Sequence, residues 1–457
     1  MPSKKEIQSL IIGISGVRGI VGETLTPELL TRLGAAFGTY MERGTVVIGR
    51  DTRTSGPMIK HAVLGGLLST GVKVVDIDIC TTPTCQLMIE ELHADGGIVI
   101  SGSHNPAEWN ALKFFRSDGI YLNDEQGKML LNIYYQGDFH QARWNEMTEI
   151  ERDNSGVQLH INKVLSLVDV DLIKSKKFKV AIDCCNGAGS IITPFFLEKL
   201  GCTVVELHCE PNGYFPHNPE PTFINLGDLS NKTMESGADI GFAQDADADR
   251  VAIISEKGEV LGEEYSLALC TKFILSKRKG TVVTNLSTSR MIDDIAAQYK
   301  ADMVRTAVGE VNVAEKMKKL GALIGGEGNG GIIYPELHYA RDSFIGIALV
   351  LQYMAETGKR ISELADDLPK YYIQKNKVEC SRTDAMHVLE TIKSKYSEGK
   401  INTEDGLKID LEDSWIHLRR SNTEPIIRII TESKSKKKAL ELNNAILVQI
   451  EDLNSKE

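Results

Sequence analysis

The sequence predicts a multidomain α/β protein closed by a smaller α+β unit. Three observations predict it: the chain has 457 residues, its helical and strand signals alternate and restart twice, and its last stretch joins strands by short connections. With 42% hydrophobic and 25% charged residues, the chain can build several cores, and its length suits about two to four ordinary domains.

The elements follow in order. In the first third, "TPELLTRLGAAFGTYM" carries apolar residues at helical spacing behind a Thr26–Pro27 start signal. "TVVIG" reads as a short buried strand, "SGPMIKHAVLGGLLSTG" as a second helix and "VKVVDIDI" as another strand. The pattern restarts near Val157 with the strand "KVAID", the glycine turn "CCNGAGS", the helix-like "IITPFFLEKLG" and the strand "CTVVEL". After Gly258 it restarts again, with a helix around "EEYSLALCTKFILS", the strand "TVVTNL", then "ALIGG" and the helical "RDSFIGIALVLQYMAET". The last unit pairs the strand signals "GLKIDLEDSWIHLRR" and "PIIRIITES" across a compact turn, before the helix-like "KKKALELNNAILVQIEDL". Its short connections imply antiparallel pairing, and a small terminal domain with an Arg-rich loop fits a lid. The resulting boundaries are 1–155, 156–257, 258–372 and 373–457.

A net charge of -11 argues against broad nucleic-acid binding, while leaving room for a basic cleft focused on a small anion. The sequence has no early apolar leader and no long apolar run, so a cytoplasmic protein without membrane association is expected. Its eight cysteines, two adjacent at Cys184 and Cys185, form neither a disulfide framework nor a zinc spacing. They read as reduced, mostly buried thiols.

Chemistry concentrates in a few loops. "QDADADR" sets Asp245, Asp247 and Asp249 at alternate positions between two apolar runs. Like charges this close repel, and a cation resolves the repulsion; all-oxygen ligands favour Mg²⁺ or Ca²⁺ over zinc. A calcium loop fails because Arg250 stands where glycine is needed and the segment continues as a strand. An acidic turn at a strand end is the plainer alternative. Three carboxylates leave a Mg²⁺ with room for water or a phosphate oxygen.

"GGEGNGG" satisfies G-x-G-x-x-G through Gly326, Gly328 and Gly331, but "IIYPE" follows instead of a helix, so it is a weak dinucleotide fingerprint. As a ligand loop it presents Glu327 and Asn329 to a polyol; as a structural element it is a flexible turn. "RRSNTEPIIR" gathers Arg419, Ser421, Asn422 and Thr423, an inventory suited to a phosphate dianion or to a polar hairpin turn. "GISGVRG" places Arg18 among glycines, and "GRDTR" sets Arg50 and Arg53 around Asp51 after a strand, where a structural Asp–Arg pair is an equal reading.

"SGSHNPAEWNALK" puts a serine beside a histidine, yet neighbours in an extended chain rarely face each other. The chain has no G-x-S-x-G elbow and no Walker A lysine loop. In company with a metal clamp and a phosphate clamp, the serine is best used as a phosphoryl carrier, with Lys113 stabilising or relaying charge.

In this order and at these separations, "GISGVRG", "SGSHNPAEWNALK", "DADADR", "GEGNGG" and "RRSNTEP" resemble the signature segments of the α-D-phosphohexomutase superfamily over essentially the whole chain. The resemblance implies three related α/β domains and a mobile, TBP-like fourth domain around a central cleft. It implies that Ser103 is the phosphoserine and a metal ligand with Asp245, Asp247 and Asp249. His104 and Asn105 shape the serine loop, Lys113 is a candidate general acid or base, and Arg250 acts on the transferable phosphate. Glu327 and Asn329 read sugar hydroxyls, Arg419, Ser421, Asn422 and Thr423 hold the other phosphate, and Arg18 matches the amino-terminal arginine. Ala246 departs from the commoner glycine, Asn329 from serine, and Gly331 from the histidine of bacterial phosphomannomutase types, for which His104, Lys113 or His338 are candidate substitutes.

The implied reaction is reversible phosphoryl transfer on a hexose phosphate through a 1,6-bisphosphate, with Mg²⁺ as cofactor and a monomer or homodimer as the working form. "GGEGNGGIIYPE" with "AVGEVNVAEKM" is similar to the archaeal-type phosphoglucosamine mutase branch. Phosphomannomutase or phosphoglucomutase activity is the alternative, and a phosphosugar-binding regulatory protein without chemistry is the reading from another class.

Overall fold

A computed structural model describes residues 11–13, 16–380, 382–420 and 426–454. Ser421, Asn422 and Thr423 lie outside the described residues. The expected alternation of helices and strands is present, in four sheets of seven, four, four and five strands.

The first sheet runs in the order Ile11–Gly13, Gly16–Ile20, Trp109–Arg116, Gly96–Ile100, Thr45–Arg50, Lys73–Ile79, Ile150–Arg152. Its centre is parallel, because helices Pro27–Tyr40 and Gly56–Ser69 carry the chain back over one face. The Thr26–Pro27 start signal works as read: the Thr26 side chain accepts from the Leu29 amide at 3.3 Å, and Pro27 opens the first turn.

The second and third sheets share one plan. Each has three parallel strands and one antiparallel edge: Thr203–Leu207, Lys179–Asp183, Ile240–Gln244 and Val251–Ser255 in one, Met303–Thr306, Val282–Asn285, Ile324–Glu327 and Gly331–Ile333 in the other. The fourth sheet is wholly antiparallel and is covered by the helix Lys436–Asn454. "GLKIDLEDSWIHLRR" forms two of its strands, Leu407–Asp410 and Ser414–Arg420, because the polar Glu412–Asp413 pair turns the chain between them.

Packing divides the molecule unequally. Buried side chains of the second and third units form a shared core in which Phe196 and Phe344 lie 5.8 Å apart, and Val47, Phe115, Val283 and Met317 join the first unit to the third. The fourth unit has its own core around Ile409, Ile416, Ile429 and Ile446. It meets the third unit through polar contacts: Arg290 donates to the carbonyls of Leu411, Glu412 and Ser414, Lys408 to Leu286 O at 2.6 Å, and Ser287 Oγ pairs with His417 Nδ1 at 2.9 Å. An interface of this kind separates at less cost than a continuous apolar core.

Among the described residues the eight cysteines form no disulfide, and seven of them are buried. No helix among the described residues is long and apolar enough to cross a membrane.

Candidate active site

In each α/β unit the loop singled out by the sequence connects a parallel strand to its antiparallel neighbour. The serine loop lies between Gly96–Ile100 and Trp109–Arg116, the acidic loop between Ile240–Gln244 and Val251–Ser255, and the glycine loop between Ile324–Glu327 and Gly331–Ile333. All three leave the carboxyl end of a parallel strand, the end at which α/β sheets bind ligands.

Ser103 is buried and takes φ 48°, an unusual left-handed conformation for a residue with a side chain. A buried chain of contacts holds it there. The Ser103 amide donates to Ser101 Oγ at 2.9 Å, and Ser101 Oγ donates to Asp51 Oδ2 at 2.7 Å. Asp51 pairs with Arg53, and the Arg53 guanidinium donates to the carbonyls of Ser103, Asn105, Pro106 and Trp109 at 2.7 to 2.8 Å. The Asp–Arg pair of "GRDTR" is therefore structural, and what it shapes is the serine loop.

Ser103 Oγ donates to Asp245 Oδ2 at 2.8 Å, across 142 positions of sequence. Ligand atoms of Asp245, Asp247 and Asp249 all lie within 4.8 Å of one another, and all three residues are buried. Burial first, and then the charges of Asp249 and Asp247, push the Asp245 carboxyl well above its ordinary range. Asp247 behaves oppositely. Burial would raise it, but Lys113 at its Oδ2, together with Thr82 Oγ1, holds it below the usual carboxylate range. Lys113 in turn is kept protonated: the charges of Asp247 and Asp249 overcome its burial.

The donor set fits a hard divalent cation. Asp247 Oδ1 and Asp249 Oδ1 are buried carboxylate oxygens without a hydrogen-bond partner among the described residues, and Ser103 Oγ adds a further oxygen beside Asp245. Such oxygens are costly to leave unpaired and are what Mg²⁺ takes. The second unit supports this loop closely: the Ala188 amide donates to Ala246 O at 2.7 Å, and a Cβ on Gly187 would lie 2.5 Å from that same oxygen. Ala246 in place of glycine is accommodated, since the left-handed turn falls at Ala248, φ 55°.

Positive charge surrounds the carboxylates. Arg250 Nε is buried without a hydrogen-bond partner and ion-pairs with Asp249 Oδ1 at 3.6 Å and Asp245 Oδ2 at 4.0 Å, and Arg18 Nη1 donates to Asn105 Oδ1 at 3.1 Å. Burial, then Arg250, Arg18 and Arg341, lower the His104 imidazole well below its ordinary value, so it is neutral near pH 7. Its Nδ1 lies 3.4 Å from Ser103 Oγ.

In the glycine loop, Glu327 Oε1 accepts from Asn285 Nδ2 at 2.7 Å and from the Gly309 amide at 3.1 Å, while Oε2 accepts from Arg341 Nη1 at 3.0 Å and Asn329 Nδ2 at 3.4 Å. The Asn329 contact is the longest of the four. Arg419 ends the strand Ser414–Arg420 and pairs with Asp405 at 2.8 Å. Asp405 also accepts from the Val308 amide, next to the Gly309 that holds Glu327.

Domain models of the phosphoglucomutase/phosphomannomutase family match residues 9–141, 158–258 and 263–372 as α/β/α domains I, II and III, and residues 376–448 as the C-terminal domain. The chain is 41% identical over 440 residues to a Thermococcus kodakarensis protein named phosphoglucomutase/phosphomannomutase, covering 94% of this chain and 96% of that one. The chain belongs to the phosphoglucomutase/phosphomannomutase family. It is accordingly an enzyme, an isomerase of the phosphohexomutase kind. A Methanopyrus kandleri family member named "Probable phosphoglucosamine mutase" is 38% identical, with 94% of this chain and 96% of the other covered. Among solved structures, a family protein from Burkholderia thailandensis shares the fold at TM-score 0.86 and 23% identity, covering 99% of this chain and 98% of that one.

The structure brings Ser103, His104, Lys113, Asp245, Asp247, Asp249 and Arg250 into one cluster, with Arg18 and Asn105 joined to each other beside it. Glu327 and Asn329 connect to that cluster through Arg341. His338, the candidate substitute for a histidine at position 331, is buried with its Nε2 3.0 Å from Asp342 Oδ2, at the cap of the helix Ser343–Thr357. Sequence reasoning missed Thr82, Glu310 and Arg341. Thr82 and Arg341 reach the acidic loop from other units, and only "ARDS", a cation before a helix cap, offered a local signal.

Proposed function

We propose that the protein is a Mg²⁺-dependent phosphoglucosamine mutase that interconverts glucosamine 6-phosphate and glucosamine 1-phosphate. The observation that carries the reading is the Ser103 hydroxyl on Asp245, beside two carboxylates that each keep one buried oxygen without a hydrogen-bond partner. A binding protein without chemistry has no use for that juxtaposition.

In the working cycle Ser103 is phosphorylated. Asp245, Asp247, Asp249 and the phosphoserine would hold Mg²⁺, which would supply charge neutralisation at the transferring group. The free hydroxyl of the sugar attacks phosphorus, the bond to Ser103 Oγ breaks, and a 1,6-bisphosphate forms. The acceptor hydroxyl loses a proton and Oγ gains one. Neutral His104, 3.4 Å from Oγ, and protonated Lys113 are the groups at hand for that exchange. Arg250 holds the transferring phosphate, Glu327 and Asn329 the sugar hydroxyls, Arg18 and Asn105 the cleft wall, and Arg419 with Ser421, Asn422 and Thr423 the resting phosphate. The bisphosphate turns over in the cleft and returns its other phosphoryl group to Ser103.

The glucosamine assignment is supported by the name of the 38% identical relative and by Glu327, a carboxylate able to pair with a 2-ammonium group. The 41% identical relative carries a glucose and mannose name, which favours phosphoglucomutase/phosphomannomutase as the second reading. The test is kcat/KM on the 6-phosphates of glucosamine, glucose and mannose, each with Mg²⁺ and the matching 1,6-bisphosphate. A preference for glucosamine 6-phosphate is expected; a preference for either of the others overturns the sugar assignment and leaves the mutase reading intact.

A further inference from the structure

Arg341 is the one side chain that touches both the acidic loop and the glycine loop among the contacts of the described residues. It is 7% exposed and donates to three carboxylates: Nη2 to Asp249 Oδ2 at 2.6 Å, Nη1 to Glu327 Oε2 at 3.0 Å and Nε to Glu310 Oε2 at 2.8 Å. Its backbone is fixed as well. Residue 341 bridges Ile333, its amide donates to Glu310 Oε1 at 3.2 Å, and the next residue caps the helix Ser343–Thr357.

The geometry points to Arg341 as a positioning residue that holds the acidic loop and the glycine loop in register, an inference that rests on the mutase reading of the site. Holding Asp249 by Oδ2 leaves Oδ1, which has no hydrogen-bond partner and lies 3.6 Å from Arg250 Nε, as the oxygen presented to the cation. Holding Glu327 by the same guanidinium fixes the carboxylate that faces the sugar. A planar fork with donors on three sides can do both at once; an ammonium on a flexible stem cannot. The two loops are also tied by the Val251 amide donating to Gly330 O at 3.0 Å, and Arg341 adds the side-chain link that sets the acidic groups themselves, where misplacement by about 1 Å costs roughly 100-fold in rate.

Gly331 shows that the space was made for this arm. A Cβ at position 331 would lie 2.2 Å from Arg341 Cδ and 2.8 Å from its Cγ. A side chain there forces the Arg341 stem to shift, so the glycine and Arg341 act as a pair: one vacates the volume that the other fills.

Two variants test the inference by different routes. Arg341→Lys keeps a charge and loses the fork; Gly331→Ala keeps the arginine and crowds its stem. For each, Mg²⁺ binding is titrated calorimetrically on the unphosphorylated protein, and kcat and KM are measured alongside the melting temperature. In both, Mg²⁺ affinity should fall about 10-fold and kcat about 100-fold, with KM changing less than kcat. A purely structural role would lower the melting temperature and leave the Mg²⁺ affinity of the folded protein unchanged. If Arg341→Lys does not fold, Gly331→Ala decides. Mg²⁺ affinity and kcat within twofold of wild type overturn the inference. A wild-type protein without mutase turnover overturns the functional reading instead, and the Mg²⁺ titration still judges Arg341.

Discussion

The acidic loop of the second unit and the glycine loop of the third occupy the same place in the same four-stranded plan, yet they are built from opposite materials. One runs from Gln244 to its partner Val251 and crowds three buried carboxylates into the span; the other turns from Glu327 to its partner Gly331 with glycines and an amide. The fold decides where a loop emerges, and side chains decide what it holds. A long loop with one left-handed alanine can gather charge around a cation. The tight turn, with Gly330 at φ 87°, instead keeps one carboxylate on a short leash where a neutral hydroxyl can reach it.

The comparison breaks if the two loops prove interchangeable in kinetics. Asp247→Asn removes a carboxylate from the proposed cation site and leaves Lys113 only its longer ion pair with Asp249 at 3.7 Å. We expect kcat to fall by about 100-fold or more, with weaker Mg²⁺ binding by titration and a KM for hexose phosphate close to wild type. A variant that loses only substrate affinity means that the aspartates bind sugar and not metal.

A smaller and opposite effect sharpens the contrast. Glu327→Gln should raise KM by about 10-fold through loss of a charged hydrogen bond, and should change Mg²⁺ affinity little. It should also narrow the preference for glucosamine 6-phosphate over glucose 6-phosphate if the carboxylate pairs with the 2-ammonium group. Equal losses on both sugars show that Glu327 reads hydroxyls alone.

Most of the strands and both loops were legible because their signals are local. "DADADR" declares its chemistry within six residues, and "TPELL" declares a helix start within two. The supports were not legible. Arg341 lies 92 positions from Asp249, and Thr82 lies 165 positions from Asp247; the helix cap after Arg341 is the one local signal, and it says nothing of the partner. Arg53 was visible as half of an ion pair, but its four carbonyl partners lie more than fifty positions downstream or at that limit, and carbonyls carry no sequence signal. Gly331 was legible as an absence of a side chain and only the packed structure explains it, through the Arg341 stem that fills the space.

In the proposed reaction both loops serve Ser103, and the most direct measurement looks for a phosphoryl group on it. The purified protein is incubated with Mg²⁺ and a hexose 1,6-bisphosphate, and the peptide spanning Ser101 to Lys113 is sequenced by mass spectrometry before and after a chase with the 6-phosphate. The account requires one phosphoryl group on Ser103, its loss into bisphosphate on the chase, and no mutase turnover in Ser103→Ala. Full turnover by Ser103→Ala, or a phosphoryl group that stays on Ser103 while sugar phosphate is converted, would contradict it.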